Sequence, residues 1–139
     1  MFNNLFKTKY NTVSFEDVQS AILKPTHYII INTMSATNQN CLIKTTISYQ
    51  SEENLINEYL NNYDFSSKTF IIYGENANDD SIETKFRQMQ GLGFANVYIY
   101  RGGLFEWLLL QDIYGQDEFP TTSKLLDILK YKPTRTLNH

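Results

Sequence analysis

Lys68-Thr69-Phe70-Ile71-Ile72-Tyr73 opens a stretch, running to Trp107, that reads as strand, loop, helix, strand, turn and helix. No polar residue stands between Phe70 and Tyr73, the pattern of a strand covered on both faces, so this is expected to be a central strand. The run breaks at Gly74-Glu75-Asn76-Ala77-Asn78-Asp79-Asp80, a loop of turn formers, and Asp79, Asp80 or Ser81 is placed to cap the helix that follows. Ile82, Phe86 and Met89 recur at helical spacing, and Gly91 or Gly93 supplies the left-handed stop. Asn96-Val97-Tyr98-Ile99-Tyr100 is the next strand. Arg101-Gly102-Gly103 then turns the chain into an apolar helix from Leu104 to Leu110. Two strands joined through a helix in this way form a right-handed parallel unit.

The rest of the chain lies beside this unit. Met1 to Asn11 is an extension carrying Phe2, Leu5, Phe6 and Tyr10 at partly helical spacing, with Lys7 and Lys9 between them. It is expected to dock on its own domain, and docking on a partner or on a second copy is the alternative. Thr12-Val13 is a brief strand, and Ser14-Phe15-Glu16-Asp17 has the shape of a capping box for a helix that Pro25 ends. His27 to Asn32 is a second buried strand. Ser35 to Asn40 is a polar loop, and Cys41 to Tyr49 leads to a short strand. Ser51 is expected to cap a helix from Glu52 to Asn62, with Leu55, Ile56, Tyr59 and Leu60 on its core face. Thr121 or Thr122 caps a last helix with Leu125, Leu126, Ile128 and Leu129 facing inward, Pro133 stops it, and residues 134–139 form a flexible tail. Alternating strands and helices predict one α/β domain over residues 12–133. Its mostly parallel central sheet has about five strands, with helices on both faces.

Composition removes several function classes. A chain of 139 residues fits one domain with a substantial core. A net charge of -3 with scattered Lys and Arg leaves no cationic stripe for nucleic acid. One cysteine excludes an internal disulfide framework and suits a reducing compartment. The apolar runs fall far short of a bilayer span, and the first residues lack the apolar core of a secretory signal. The expectation is therefore a cytoplasmic protein without membrane or nucleic-acid partners. The abundance of Asn, Ile, Lys and Tyr suits an AT-rich coding sequence such as that of a large DNA virus or a protist, and a viral source would allow a virion-associated protein. Neither His27, which opens a strand, nor His139, in the tail, points to a metal, and no cofactor is expected.

Gly93-Phe94-Ala95-Asn96-Val97 and Gly102-Gly103-Leu104-Phe105-Glu106-Trp107, in the order strand, loop, helix, strand, turn, resemble the second half of a rhodanese-like domain. The resemblance covers roughly Thr12 to Ile113. In that family the loop after the central strand begins with the cysteine that carries sulfur as a persulfide, and the loop amides curl around that atom. The resemblance puts Gly74 there, with Glu75, Asn76, Ala77, Asn78, Asp79, Asp80 and Ser81 as the remainder of a vestigial loop. The loop is about one residue longer than the usual sulfurtransferase loop, nearer the cell-cycle phosphatase branch. The second strand of the family ends in Asp-Val-Arg, whereas Asn32-Thr33-Met34 stands here, so both the usual acid and the usual base are missing. Asn32, Met34 and Arg101 are assigned to the pocket rim, with Arg101 expected to pair with Asp79 or Asp80.

A sulfurtransferase needs a thiolate held by amides and cations, and a phosphatase on the same loop needs a Cys and an Arg. Residues 74–81 contain neither, and Glu75, Asp79 and Asp80 would meet an approaching thiosulfate or phosphate with negative charge. The chain is thus similar to the catalytically inactive branch, including a centrosomal rhodanese-like domain and the docking modules of MAP-kinase phosphatases. That resemblance implies a protein-interaction or structural module with a protein partner, self-association being one form of it. Two alternatives stand beside this reading. One is a sulfurtransferase with Cys41, beside the family's usual His position, as displaced nucleophile. Asn38-Gln39-Asn40-Cys41-Leu42 offers such a thiol no activating cation, and burial beside an apolar strand is its ordinary reading. The other is small-ligand or cation binding at the acidic loop, whose residues lack dedicated ligand spacing and serve equally as helix caps.

Overall fold

In a computed structural model of the chain, which describes residues 9–137, four strands form one parallel sheet in the order β1-β4-β3-β2. The strands are β1 (Thr12–Val13), β2 (Tyr28–Asn32), β3 (Thr69–Tyr73) and β4 (Val97–Tyr100). The helices are α1 (Phe15–Ile22), α2 (Tyr49–Asn61), α3 (Ser81–Gly91) and α4 (Gly103–Tyr114). Successive side chains of β3 point to opposite faces, so Phe70 and Ile72 join one apolar cluster while Ile71 and Tyr73 join the other. α2 and α3 cover the first cluster through Ile56, Ile82, Phe86 and Met89. α1 and α4 cover the second through Val18, Ala21, Leu104, Trp107 and Leu108. The two-sided α/β architecture therefore holds as expected, with β3 buried between helix layers. Among the described residues no helix is long and apolar enough to cross a membrane.

Parallel register places the functional edge. Asn32 pairs with Tyr73, and Tyr73 with Tyr100, so the residues that follow these three strands emerge side by side at the carboxyl edge of the sheet. They are Thr33, Gly74 and Arg101. Ser14 and Asp17 form the expected capping box, with Ser14 N donating to Asp17 Oδ2 at 2.9 Å. The stop after α3 is Gly93, which adopts φ +103°.

Three sequence expectations are corrected. The sheet has four strands, not five: the segment after Cys41 contributes only a single parallel bridge, Ile30 to Thr46, with Ile47 N donating to Ile30 O at 2.8 Å. Thr45 turns the backbone to φ 69° just before that bridge, so a longer ladder cannot form. Next, α2 begins at Tyr49, ahead of the expected start, because Ser48 rather than Ser51 is its cap. Ser48 Oγ accepts from Ser51 N at 3.3 Å. Finally, the expected last helix is only a 3-10 turn, Ile128–Tyr131, in which Leu129 is exposed and Tyr131 is the buried residue, and Leu126, just ahead of the turn, is exposed as well. The backbone ahead of it is held by the loop beside β2: Thr122 N donates to Leu42 O at 2.8 Å, and Ile43 and Thr121 form an antiparallel bridge. Those long-range bonds override the apolar spacing. Phe2, Leu5 and Phe6 lie outside the described residues, as do residues 138–139.

Thr45 is a β-branched residue in the left-handed region, and its buried Oγ1 has no hydrogen-bond partner among the described residues. A non-glycine residue there costs about 1–2 kcal/mol, partly offset by the extra freedom glycine has in the unfolded chain. Thr45→Gly is therefore expected to raise stability by about 1 kcal/mol in a urea titration. A loss of stability would show that the strain is not real.

Candidate functional site

The loop between β3 and α3 is built around one carboxylate. Asp79 Oδ2 accepts from the Glu75 amide at 3.1 Å, and Asp79 Oδ1 accepts from the Ser81 amide at 3.0 Å and the Ser81 hydroxyl at 2.5 Å. The side chain thus points back into its own loop, where it satisfies the loop amide of Glu75 and the Ser81 amide left over at the start of α3. A Cβ built on Gly74 would overlap Asp79 Oδ2 and come within 2.9 Å of both Ile82 Cγ1 and Thr33 Oγ1. Gly74 is buried, and the space a side chain would take is already filled.

Two further contacts hold the loop in this shape. Asn76, 7% exposed, donates from Nδ2 to the Tyr131 carbonyl at 2.9 Å, while its Oδ1 accepts from Asn78 N at 2.9 Å. The first turn of α4 donates to the loop carbonyls, Leu104 N to Gly74 O and Phe105 N to Glu75 O, each at 2.9 Å. That approach needs Gly103, which has φ +67° and no room for a Cβ against Gly74 O. Gly103 is thus explained by backbone docking, whereas a Cβ at Gly102 would meet only the Glu106 side chain. Ala77, Asn78 and Asp80 face solvent at the loop's outer side, and Asp80, at the N-cap position of α3, makes no side-chain cap bond.

The rim differs from its sequence reading. Asn32 is buried and exchanges two bonds with Gln39, its Nδ2 donating to Gln39 Oε1 at 3.0 Å and its Oδ1 accepting from Gln39 Nε2 at 2.8 Å. Met34 is 4% exposed and belongs to the core cluster under α1 and α4. The residue of this strand end that touches the loop is Thr33, whose hydroxyl lies 2.7 Å from Ser81 Oγ. Arg101 pairs with Glu83 at 2.7 Å, on the first turn of α3, and not with Asp79 or Asp80. Asp79 is already taken by amides. The Arg101 guanidinium also stands over the Tyr10 ring, 5.6 Å from its centroid. Sequence reasoning missed Thr33 because it read the strand end by motif position and not by alternation.

Cys41 is 3% exposed, and its Sγ donates to the Ser123 carbonyl at 3.3 Å. Among the described residues no three His, Cys, Asp or Glu side chains gather as a metal site would require. Beneath the loop, the Tyr73 hydroxyl meets Ile43 N at 3.1 Å and Thr46 Oγ1 at 2.8 Å, and burial pushes its ionisation well above the ordinary phenol range. Tyr100 is raised in the same way, first by burial and then by donating to Glu106 Oε1 at 2.6 Å. A raised phenol pKa contributes stability that is intact below the unfolded value of 10.0 and is lost as pH climbs past it. Stability should therefore fall above pH ~10, by up to about 1.4 kcal/mol per pH unit for each phenol. An absorbance titration of tyrosinate should show at least these two of the ten tyrosines ionising only on unfolding. Smooth ionisation of all ten in the folded state would contradict the burial.

Comparison with known proteins adds a family and a set of folds. The family model described as a rhodanese-like domain matches residues 17–110. A search of curated proteins finds no match. Among solved structures, a protein of Anabaena sp. is similar with a TM-score of 0.58 at 19% identity, covering 82% of this chain and 94% of its own. A yeast protein tyrosine phosphatase of the rhodanese family is similar with a TM-score of 0.58 at 15% identity, over 88% of this chain and 98% of its own. The single-domain sulfurtransferase RDL2 of Saccharomyces cerevisiae is similar with a TM-score of 0.54 at 21% identity, over 83% of this chain and 100% of its own. At these identities the likeness is one of fold.

Proposed function

Because the chain belongs to the rhodanese-like domain family, we propose that it is a non-catalytic member, with Gly74 standing where the family's loop carries its cysteine, and that it serves as a protein-interaction or structural module. The observation that carries this reading is the Asp79 carboxylate. It takes the amides of Glu75 and Ser81, which a sulfur anion or a phosphoryl oxygen would need, and it fills the volume a side chain at position 74 would occupy. An anion approaching from solvent meets Glu75 and Asp80 before any guanidinium, since Arg101 is neutralised by Glu83. Two electrostatic requirements of anion chemistry are thus unmet together. Cys41 offers no substitute: it is buried beside Ser123, out of reach of a small anion or an acceptor thiol. What is left for the fold is its surface, where Ile113 at 70% and Tyr114 at 64% exposure are large apolar side chains facing solvent.

The test is turnover. Purified protein and its Cys41→Ala variant are expected to show the same background rate in thiosulfate-to-cyanide transfer and in aryl phosphate hydrolysis. Turnover that depends on Cys41 would instead make the chain a sulfurtransferase with a displaced nucleophile, and turnover in both proteins would mean that the loop still does chemistry.

A further inference from the structure

The outer surface of α1 and α4 is apolar and carries one sign of charge. Leu104, Trp107 and Leu108 of α4 are buried in the core, yet Leu110 is only half-buried and Ile113 and Tyr114 lie open. A helix apolar on every side is ordinarily covered on every side. Two hollows, of about 600 and about 350 Å³, lie along this surface and share Glu16, Gln19 and Glu118, so they form one furrow. Phe15, Leu110, Tyr114 and Phe119 line its larger end, and the exposed Leu23 lines the smaller. Gln19 Nε2 donates to the Glu118 carbonyl at 2.8 Å, which ties α1 to the loop after α4 and fixes the furrow in advance of a ligand.

Charge selects among ligands. Residues 14–23 and 103–120, which build the furrow, include Glu16, Asp17, Glu106, Asp112, Asp117 and Glu118 and no Lys, Arg or His. Glu16, Asp117 and Glu118 are exposed in the hollows, and no cationic residue among those described lines either one. Nucleic acid, anionic lipid and acidic peptides are repelled there. The complement is a surface of apolar side chains flanked by Lys or Arg.

The lining also selects a backbone. Every lining residue belongs to α1, α4 or the loop that follows each, so the furrow has no strand edge on which a partner could add a strand. Of its aromatic rings only Tyr114 stands open, Phe15 being half-buried and Phe119 buried, which leaves no row of rings for a proline-rich segment. A helix satisfies its own backbone and can lay one apolar face between two others. No described helix of a second copy has the required face. α1, α2 and α4 contain no Lys or Arg, and in α3 Lys85 is paired with Glu52, Arg87 donates to Tyr10, and Ile82, Phe86 and Met89 are buried.

We infer that the furrow receives a basic amphipathic helix of a partner protein, its apolar face on Leu110 and Tyr114 and its cations against Glu16, Asp117 and Glu118. This deepens the interaction-module reading and rests on it. The test is fluorescence anisotropy of the full chain with a labelled synthetic helix of about 18 residues, Leu on one face and Lys on the other, and with a twin carrying Glu for Lys. The Leu/Lys helix is expected to bind at least about tenfold more tightly than its twin. Glu16→Lys with Glu118→Lys should reverse that preference. Glu53→Lys with Glu58→Lys makes the same change of net charge on α2, at the opposite face of the sheet, and should leave binding within about twofold. Tyr114→Ser should weaken the Leu/Lys helix by about fivefold or more, and circular dichroism checks that each variant is folded. Equal binding of the twins, or equal loss in both lysine pairs, would overturn the inference. So would a dimer of the full chain that the furrow lysines disperse, which gives the furrow to a second copy, or tighter helix binding on removal of residues 1–8, which gives it to the chain's own start. Sulfur-transfer assays on the same preparations keep the two readings apart: a silent protein that ignores the helix refutes only the furrow, whereas turnover refutes the module itself.

Discussion

A Gly103→Ala variant is expected to lose about 3 kcal/mol of stability, with the unfolding midpoint falling by roughly 10 °C. Two costs combine at this position. The backbone sits at φ +67°, where any side chain pays for its Cβ, and that Cβ would stand 2.6 Å from Gly74 O and 3.0 Å from Asn76 N. These are backbone atoms on both sides, so no rotamer change relieves the overlap. Either α4 lifts from the loop, breaking the bonds from Leu104 N and Phe105 N, or the loop moves and takes Asn76 away from Tyr131. Gly91→Ala is the control. It closes α3 with nothing within 4 Å of the new Cβ, and it should be neutral or stabilising by up to about 1 kcal/mol. Differential scanning fluorimetry of the two variants decides the matter. Equal midpoints would mean that the contact between α4 and the loop carries no weight.

The unit from Lys68 to Trp107 was legible because its signals are local. An unbroken apolar strand, a polar loop, a helical spacing of Ile82, Phe86 and Met89, and glycines at 93 and 103 with positive φ all act within a few residues of where they are read. Residues 121–131 were illegible for the opposite reason. Their leucines have helical spacing, but Thr121 and Thr122 are held by residues 42 and 43, some eighty positions earlier, and that pairing has no one-dimensional trace. At the candidate site, the absence of a cysteine from residues 74–81 could be read directly. The direction of Asp79 could not. An aspartate two residues before Ser81 reads as a helix cap, and one oxygen does serve that purpose, while the other turns back to Glu75 N and fills the space beside Gly74. The partner of Arg101 was misjudged on the same ground, because a carboxylate already satisfied by amides has little to gain from a distant guanidinium.

Gly74→Cys is expected to create a thiol that does not transfer sulfur and to cost about 1–3 kcal/mol of stability, because its Cβ enters space held by the Asp79 carboxylate. Asp79→Ala alone should cost about 1 kcal/mol through the loss of its bonds to the Glu75 and Ser81 amides. The double variant should cost less than the sum of the two by about 1 kcal/mol or more, since removing the carboxylate vacates the volume the new side chain needs and returns two amide donors to the pocket. A thiolate there would have the amides that the carboxylate now takes, so its attack on the outer sulfur of thiosulfate, with sulfite leaving as the S–S bond breaks, should leave a persulfide visible by mass spectrometry on the double variant and not on Gly74→Cys. Turnover should still be slow, because Glu75 and Asp80 stay at the mouth and Arg101 stays paired with Glu83. Additive costs, or a sulfur adduct on the single variant, would show that Asp79 is a bystander. The proposed inactivity would then rest on the missing thiol alone, and the carboxylate would be no more than a helix cap.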